Sequence, residues 1–83
     1  MDIVEALEMF EEALGIYSCT VGVDHPNVAD LHFGRGYCKE GFRDKEGALE
    51  SYREVQRIYG MHGISSDDAE AVDECVSRLE GSL

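Results

Sequence analysis

The chain repeats part of its own sequence, and this repeat limits its possible folds more than any other feature does. One pattern begins at Ala6 and again at Ala48, an offset of 42 residues. It consists of Ala-Leu-Glu, then an aromatic residue two positions after the Glu, then Ile-Tyr starting six positions after the aromatic residue. A fainter match has an offset of 41: Gly22, Val28 and Leu31 correspond to Gly63, Ala69 and Val72. A period of about 40 residues is typical of a helical hairpin that is repeated along a chain.

The first twenty residues carry one continuous apolar stripe. Its members are spaced alternately by four and three positions, which places them on one side of an α-helix. They are Ile3, Leu7, Phe10, Leu14, Tyr17 and Val21. We therefore predict a helix over residues 2–21 that ends at Gly22, because a glycine commonly follows the last helical turn. Ala6 and Ala13 lie beside the stripe and leave room for a neighbouring helix.

A tight turn and a second helix follow the first. Pro26 favours the first turn of a helix, and Asp24 is placed to cap the free amides there. His25 lies in the same turn, where capping is a more ordinary role for it than catalysis. The second helix is predicted over residues 26–40 and is expected to end at Gly41.

Two further helices complete the chain. The third is predicted over residues 45–60, with Gly60 and Gly63 ending it. The fourth is predicted over residues 66–81, because a sequence that resembles a capping box begins at Ser65 and three acids lie in the first helical turn. No segment shows the alternating pattern of a strand, so the fold class is all-α.

The charge is strongly negative and unevenly distributed. Eighteen acidic residues against seven Lys and Arg give a net charge of −11. Residues 1–31 hold seven acids and no Lys or Arg, whereas six of the seven bases lie in residues 32–64. Phosphate backbones and anionic membrane surfaces are poor partners for such a chain. We also find no apolar run near the roughly 20 residues that a membrane-spanning helix requires, so we expect neither nucleic acid nor membrane as a partner.

The sequence offers no site for catalysis. The glycines Gly34 and Gly36 lie inside the second helix, where the backbone amides are already hydrogen-bonded and cannot hold a phosphate. These glycines predict instead that a neighbouring backbone approaches closely. No Gly-x-x-x-x-Gly-Lys motif is present, and no nucleophile is spaced with a base and a stabilising group. We therefore expect no enzyme activity and no cofactor.

The cysteines and histidines do not form a metal motif either. None of the three cysteines or three histidines lies in a C-x-x-C or H-x-x-x-H arrangement, so no metal site is predicted. The cysteines are odd in number, widely spaced and not preceded by a secretory signal, which favours a reduced, cytoplasmic protein. They fall on or near apolar stripes and are predicted to be small core residues: Cys19, Cys38 and Cys75.

Several segments together resemble the long tetratricopeptide repeats of kinesin light chain. The helix EALEMFEEALGIY (Glu5–Tyr17) precedes the loop GVDHPNVA (Gly22–Ala29), and a G-x-x-Y-x-x-x-G pattern starts at Gly34. The helix GALESYREVQRIY (Gly47–Tyr59) then repeats the first. The resemblance implies an α-solenoid fragment, in which four antiparallel helices stack in a right-handed superhelix. It also implies binding of a peptide or a partner helix on the concave face.

The sequence departs from the family pattern at several places. The glycine pattern starting at Gly34 falls about two residues early after Pro26, and the loop before Ala48 is about two residues longer. The small residue of the family pattern is kept at Ala13 but enlarged to Val55. In the family's phase the chain holds one complete repeat flanked by two halves, so we expect a piece of a longer array.

The expected function is a single protein-interaction domain over residues 1–83. Candidate contact residues are the polar side chains of the second helix that the core does not need: Asn27, Asp30, His32, Arg35 and Lys39. Arg35 and Lys39 are one helical turn apart and are placed to clamp a carboxylate, although ordinary solvated charges explain them as well. For Asn27, Asp30 and His32, an ordinary solvated or core position is the alternative to contact with a ligand.

Two alternatives to this function stay open. One alternative is a structural or capping piece of a longer array, with no ligand of its own. The chain is also suited to associate with itself, because each end of the chain shows an apolar stripe with no neighbouring helix to cover it. At the last helix this stripe consists of Ala69, Val76, Leu79 and Leu83.

Overall fold

The computed structural model of the chain describes residues 2–81, which form four α-helices and no strand. The helices are α1 (Ile3–Thr20), α2 (Pro26–Gly41), α3 (Lys45–His62) and α4 (Asp67–Gly81). The all-α class is therefore confirmed, and each helix end lies within two residues of its predicted position.

Each helix packs against the next one along the chain. The helix α1 contacts α2, α2 contacts α3, and α3 contacts α4. The helix α3 therefore has a neighbour on each side, whereas α1 has a neighbour on one side. The described part of the chain measures 35 × 30 × 18 Å along its principal axes, which is the shape of a flat row of helices.

The core is centred on α3, which lies between α2 and α4. Seven of its residues are buried, and α1 contributes none. The buried residues of α3 are Ala48, Leu49, Ser51, Tyr52, Val55, Ile58 and Tyr59. Val28 and Ala29 of α2 join this core from one side, and Val72 and Val76 of α4 join it from the other.

Equivalent glycines follow the two repeated helices. Gly22 comes after α1 with φ of 98°, and Gly63 comes directly after α3 with φ of 64°. These are left-handed conformations that glycine adopts without steric cost. The structure thus confirms that Gly22 and Gly63 mark helix ends, at the offset of 41 residues found in the sequence. Gly60, which was predicted to end the third helix as well, lies inside α3.

The caps at the starts of α2 and α4 were predicted only in part: the capping role expected of His25 is confirmed, whereas those expected of Asp24 and Ser65 are not. At the start of α2 the cap is His25, whose Nδ1 accepts a hydrogen bond from the backbone N–H of Asn27 at 3.1 Å. Asp24 does not cap this helix. At the start of α4 the cap is Ser66, whose Oγ accepts from the backbone N–H three residues later at 3.3 Å, so the predicted capping box at Ser65 is wrong.

The end of α2 is also corrected. Gly41 was predicted to stop this helix but is its last residue, with Phe42 as the C-cap. The chain then turns at Arg43, which takes a left-handed conformation with φ of 61°. The backbone N–H of Asp44 donates to the carbonyl of Lys39 at 2.9 Å, which closes this turn without a glycine.

The glycines inside α2 accommodate aromatic rings rather than a neighbouring backbone. A Cβ at Gly36 would overlap the ring of Tyr52, and a Cβ at Gly34 would overlap the ring of Phe10. Phe10 and Tyr52 are the equivalent aromatic residues of the two repeat copies. The helix α2 therefore lies between one aromatic ring from α1 and one from α3, and each ring requires a glycine beneath it.

Candidate protein-binding surface

Most of the exposed large apolar side chains lie on α1 and the loop after it. Met9 and Ile16 are the most exposed on α1, with 59% and 58% of their surface accessible. The full set in this region is Ile3, Val4, Met9, Ile16, Tyr17, Val21 and Val23. Elsewhere in the described part of the chain only Tyr37, Phe42 and Met61 are comparable, and Met61 lines the same pocket as Val21 and Val23. Larger exposed apolar patches commonly mark a contact with another molecule.

Part of this surface forms a groove on α1 and α2, which we call the α1 groove. Its volume is about 260 Å³, and its lining is almost entirely apolar. The lining residues are Ala6, Met9, Phe10, Ala13 and Leu31. Ala6 and Ala13 are the two small residues whose positions predicted room for a neighbouring helix.

The repeat shows what fills such a groove. Adding 42 to the α1 positions and 41 to the α2 position gives the equivalent residues of α3 and α4. These are Ala48, Ser51, Tyr52, Val55 and Val72, all of them buried. The helix α2 lies against α3 and covers this surface, with its Gly36 placed under the Tyr52 ring. The α1 groove is therefore the same surface without its covering helix.

Several contacts fix α2 on the equivalent surface of α3. Gly36 lies against Tyr52, and Arg35 Nη1 donates a hydrogen bond to Ser51 Oγ at 2.7 Å. Two turns further along α3, the Tyr59 hydroxyl donates to an Asp30 carboxylate oxygen at 3.2 Å. Burial, together with the nearby Asp30 carboxylate, raises the pKa of Tyr59 to about 12.

The outer edge of the α1 groove is acidic. Glu5 precedes Met9 by four positions and Glu12 follows it by three, so both carboxylates neighbour Met9 on the helix surface. Neither forms an ion pair with any residue in 2–81. Because residues 1–31 contain no Lys or Arg, this edge has a negative charge that its own helix does not neutralise.

Three of the five predicted contact residues are engaged within the chain. Asp30 accepts the Tyr59 hydrogen bond described above. Arg35 bonds to Ser51 and also reaches Glu11 at 3.5 Å, and Lys39 Nζ lies 3.6 Å from an oxygen of Asp44. The two cations thus point to different acids, so clamping a ligand carboxylate would require both to leave these partners.

The other two predicted contact residues are His32 and Asn27, also on α2. The side chain of His32 is half-buried, and its Nδ1 is buried without a hydrogen-bond partner in the described structure. Burial lowers the pKa of His32, and the Glu54 carboxylate partly opposes this effect. Asn27 is exposed and uses its backbone N–H at the start of α2.

A partly buried carboxylate joins α2, α3 and α4. Glu40 accepts a hydrogen bond from the Tyr52 hydroxyl at 2.6 Å and two from Arg78 Nη2 at 3.0 Å. Burial and this bond to Glu40 raise the pKa of Tyr52 well above its usual range. These contacts hold the helices together and leave Glu40 little capacity for a ligand.

The apolar stripe predicted to be exposed at the other end of the chain is not exposed. Val76 and Leu79 are buried, because this side of α4 faces α3. Ala69 is half-buried, and Leu83 lies outside the described residues. The exposed positions of α4 are mostly polar, and they include Glu70, Asp73, Glu74, Ser77, Arg78 and Glu80. Apolar surface that lacks a neighbour is thus concentrated at α1.

The cysteines and the remaining acids do not form a further site. Cys38 and Cys75 are buried as predicted, but Cys19 is exposed, because its side of α1 has no neighbouring helix. Within residues 2–81, no group of His, Cys, Asp and Glu side chains is arranged to hold a metal ion. No helix in the same range has the length and apolar character needed to cross a membrane.

Comparisons with protein-family models, with curated proteins and with solved structures found no match to this chain.

Proposed function

We propose that this chain is a cytoplasmic protein-interaction module of the tetratricopeptide type, and that its α1 groove binds a helix of another protein. One observation supports this proposal above the others. The five groove residues match, position by position, five buried residues on α3 and α4. Since a helix covers that equivalent surface, a helix is the natural ligand for the uncovered one.

The α1 groove is a better candidate than the face predicted from sequence. On that face, Asp30, Arg35 and Lys39 already have partners within the chain, and a ligand must replace them. In the groove a ligand helix would bury apolar surface that water now contacts, which is the main favourable term in most protein association. Asn27 and His32 remain candidate contacts for a second ligand, one bound on the concave side.

A role as the end of a longer repeat array is the leading alternative. End units of solenoids carry a polar outer face, and the outward positions of α4 have this character. In such an array the α1 groove would hold a helix of the preceding unit rather than a separate protein. Self-association through α1 is less favourable, because two copies would bring together two helices that each carry four acids and no Lys or Arg.

Site-specific photo-cross-linking tests the proposal. A photoreactive amino acid at the exposed Met9 position should cross-link a second protein in the native cells, and Ala13→Gln should abolish the product by filling the groove. The same probe at Glu74, on the polar face of α4, is the matched control and should give no product. The cross-linked protein is then purified, and its affinity for the chain is measured with and without Ala13→Gln.

Other cross-linking patterns would contradict the proposal. Products that contain only copies of the chain would indicate self-association. Products from a probe at His32 but not from one at Met9 would move the binding site to the concave face.

A further inference from the structure

We infer that the α1 groove selects a basic amphipathic helix with a small residue opposite Phe10. This inference rests on the proposed function and specifies the partner of the same site. It uses α2, as it lies on α3, as the internal template for the ligand.

The template requires a small residue at the closest approach. On α3, the ring of Tyr52 leaves no space for a Cβ at Gly36 of the covering helix. Phe10 is the repeat equivalent of Tyr52 and lines the α1 groove. Its ring already lies over Gly34 on the α2 side, so its other side is available to the ligand. The ligand helix should therefore carry Gly, Ala or Ser where α2 carries Gly36.

The template also predicts the ligand residues on either side of that small residue. Arg35 of α2 donates to Ser51, but the repeat equivalent of Ser51 is Met9, which accepts no such bond. An apolar residue should therefore precede the small residue in the ligand. Tyr17 is the equivalent of Tyr59, whose hydroxyl donates to Asp30. The ligand should accordingly offer an acceptor six positions before its small residue, as α2 does with Asp30.

The charge of the groove edge selects a basic ligand. Glu5 and Glu12 flank Met9 and have no ion-pair partner in the described residues. Lys or Arg on the ligand edge facing them would gain attraction that is screened by salt. A second copy of the chain would bring acids to this edge instead, so its association would strengthen as salt is added. The two ligands thus respond to salt in opposite directions.

Two synthetic helices provide the test. Each has the 18-residue length of α1, one apolar face with a central glycine, and a polar edge of Lys in one peptide and Glu in the other. We expect the Lys peptide to bind about tenfold more tightly than the Glu peptide at low salt, a difference that a few exposed ion pairs supply. Fluorescence anisotropy measures both affinities. The advantage of the Lys peptide should shrink as salt is added.

Protein variants separate binding in the groove from general attraction to an acidic chain. Glu5→Lys/Glu12→Lys should remove the preference for the Lys peptide. The control variant Glu50→Lys/Glu74→Lys changes the net charge by the same amount at exposed positions of α3 and α4. It should keep most of the preference for the Lys peptide. Ala13→Gln, and a Lys peptide with Phe in place of the glycine, should each weaken binding about tenfold. Circular dichroism melts check that every variant is folded.

Each other outcome overturns a defined part of the account. Equal binding of the Lys and Glu peptides, still sensitive to Ala13→Gln, would overturn the charge selection and leave helix binding in place. Equal loss of preference in both double variants would show that the attraction is not local to the groove. If no peptide binds, helix binding by the α1 groove, and with it the proposed function, is wrong.

Discussion

The ring of Tyr52 lies so close to Gly36 that a β-carbon at this position would overlap it. Tyr52 itself is fully buried, and its hydroxyl is hydrogen-bonded to Glu40. The glycine therefore sets the distance between α2 and α3, and the loss of helix propensity that it causes is offset by the packing of the ring.

The first prediction concerns this glycine. Gly36→Ala should destabilise the chain by about 1–3 kcal/mol, because the added methyl group forces the ring or the helix to move. Gly60→Ala is the matched control, since Gly60 lies within α3 with nothing near its Cβ position. It should stabilise the chain by about 0.5–1 kcal/mol through helix propensity. Urea denaturation measures both, and a Gly36→Ala variant as stable as Gly60→Ala would contradict the packing.

The second prediction is that Tyr52→Ala is strongly destabilising. Removing a fully buried aromatic side chain costs about 3–5 kcal/mol, and the variant would also leave Glu40 without one of its hydrogen bonds. A loss of this size approaches the whole stability of a small domain. The melting temperature is the measurement, and a shift of only a degree or two would place Tyr52 outside the core.

The third prediction compares one substitution at equivalent positions of the repeat. Ile58 is fully buried, whereas its counterpart Ile16 is 58% exposed. Ile58→Ala should cost about 2–5 kcal/mol of unfolding free energy. Ile16→Ala should change it by about 0.5 kcal/mol or less. Similar costs at both positions would mean that α1 has a neighbour that the described chain does not provide.

The helices and the repeat were predictable from the sequence because they depend on local spacing. Apolar residues at steps of three and four predict the helices. The Ala-Leu-Glu sequence that begins at both Ala6 and Ala48 gives the repeat offset. The caps were less predictable. Asp24 and His25 are both suitable acceptors at the same turn. In the structure His25 caps α2, whereas Asp24 forms an ion pair with Arg57 at 2.7 Å.

The candidate site was only partly predictable. Apolar stripes at both ends of the chain look alike in the sequence, and burial depends on which helix faces which. Val76 and Leu79 are buried where α4 packs on α3, whereas Met9 and Ile16 are exposed. The small residues of α1, Ala13 among them, did indicate room for another helix. The sequence does not show which counterparts of the α1 residues are buried, and this comparison identifies the groove.

The fourth prediction concerns pH. Burial lowers the pKa of His32, so the unfolded chain binds a proton at this side chain more readily than the folded chain does. The contribution of neutral His32 to stability is therefore present above the ordinary histidine pKa of about 6.5 and is lost as the pH falls below it. His32→Asn should reduce the dependence of stability on pH between 7.5 and 5.5, as measured by urea denaturation.

The charged groups around His32 include both signs. Glu54 and Glu50 favour the protonated imidazole, and Arg35 and Arg57 oppose it. An NMR titration of the imidazole reports the pKa directly. A value above the ordinary range would show that the carboxylates outweigh burial, and stability would then rise on acidification.

The measurement that tests the central claim most directly is an NMR titration of the labelled chain with the lysine-edged helical peptide. We predict that the largest changes in amide chemical shift fall on α1 at the groove, around Ala6, Met9 and Ala13, and at Leu31 of α2. The equivalent positions of α3 should change little, because α2 already covers them. Changes confined to Asn27 and His32, or to the polar face of α4, would contradict the claim that the α1 groove is the binding surface.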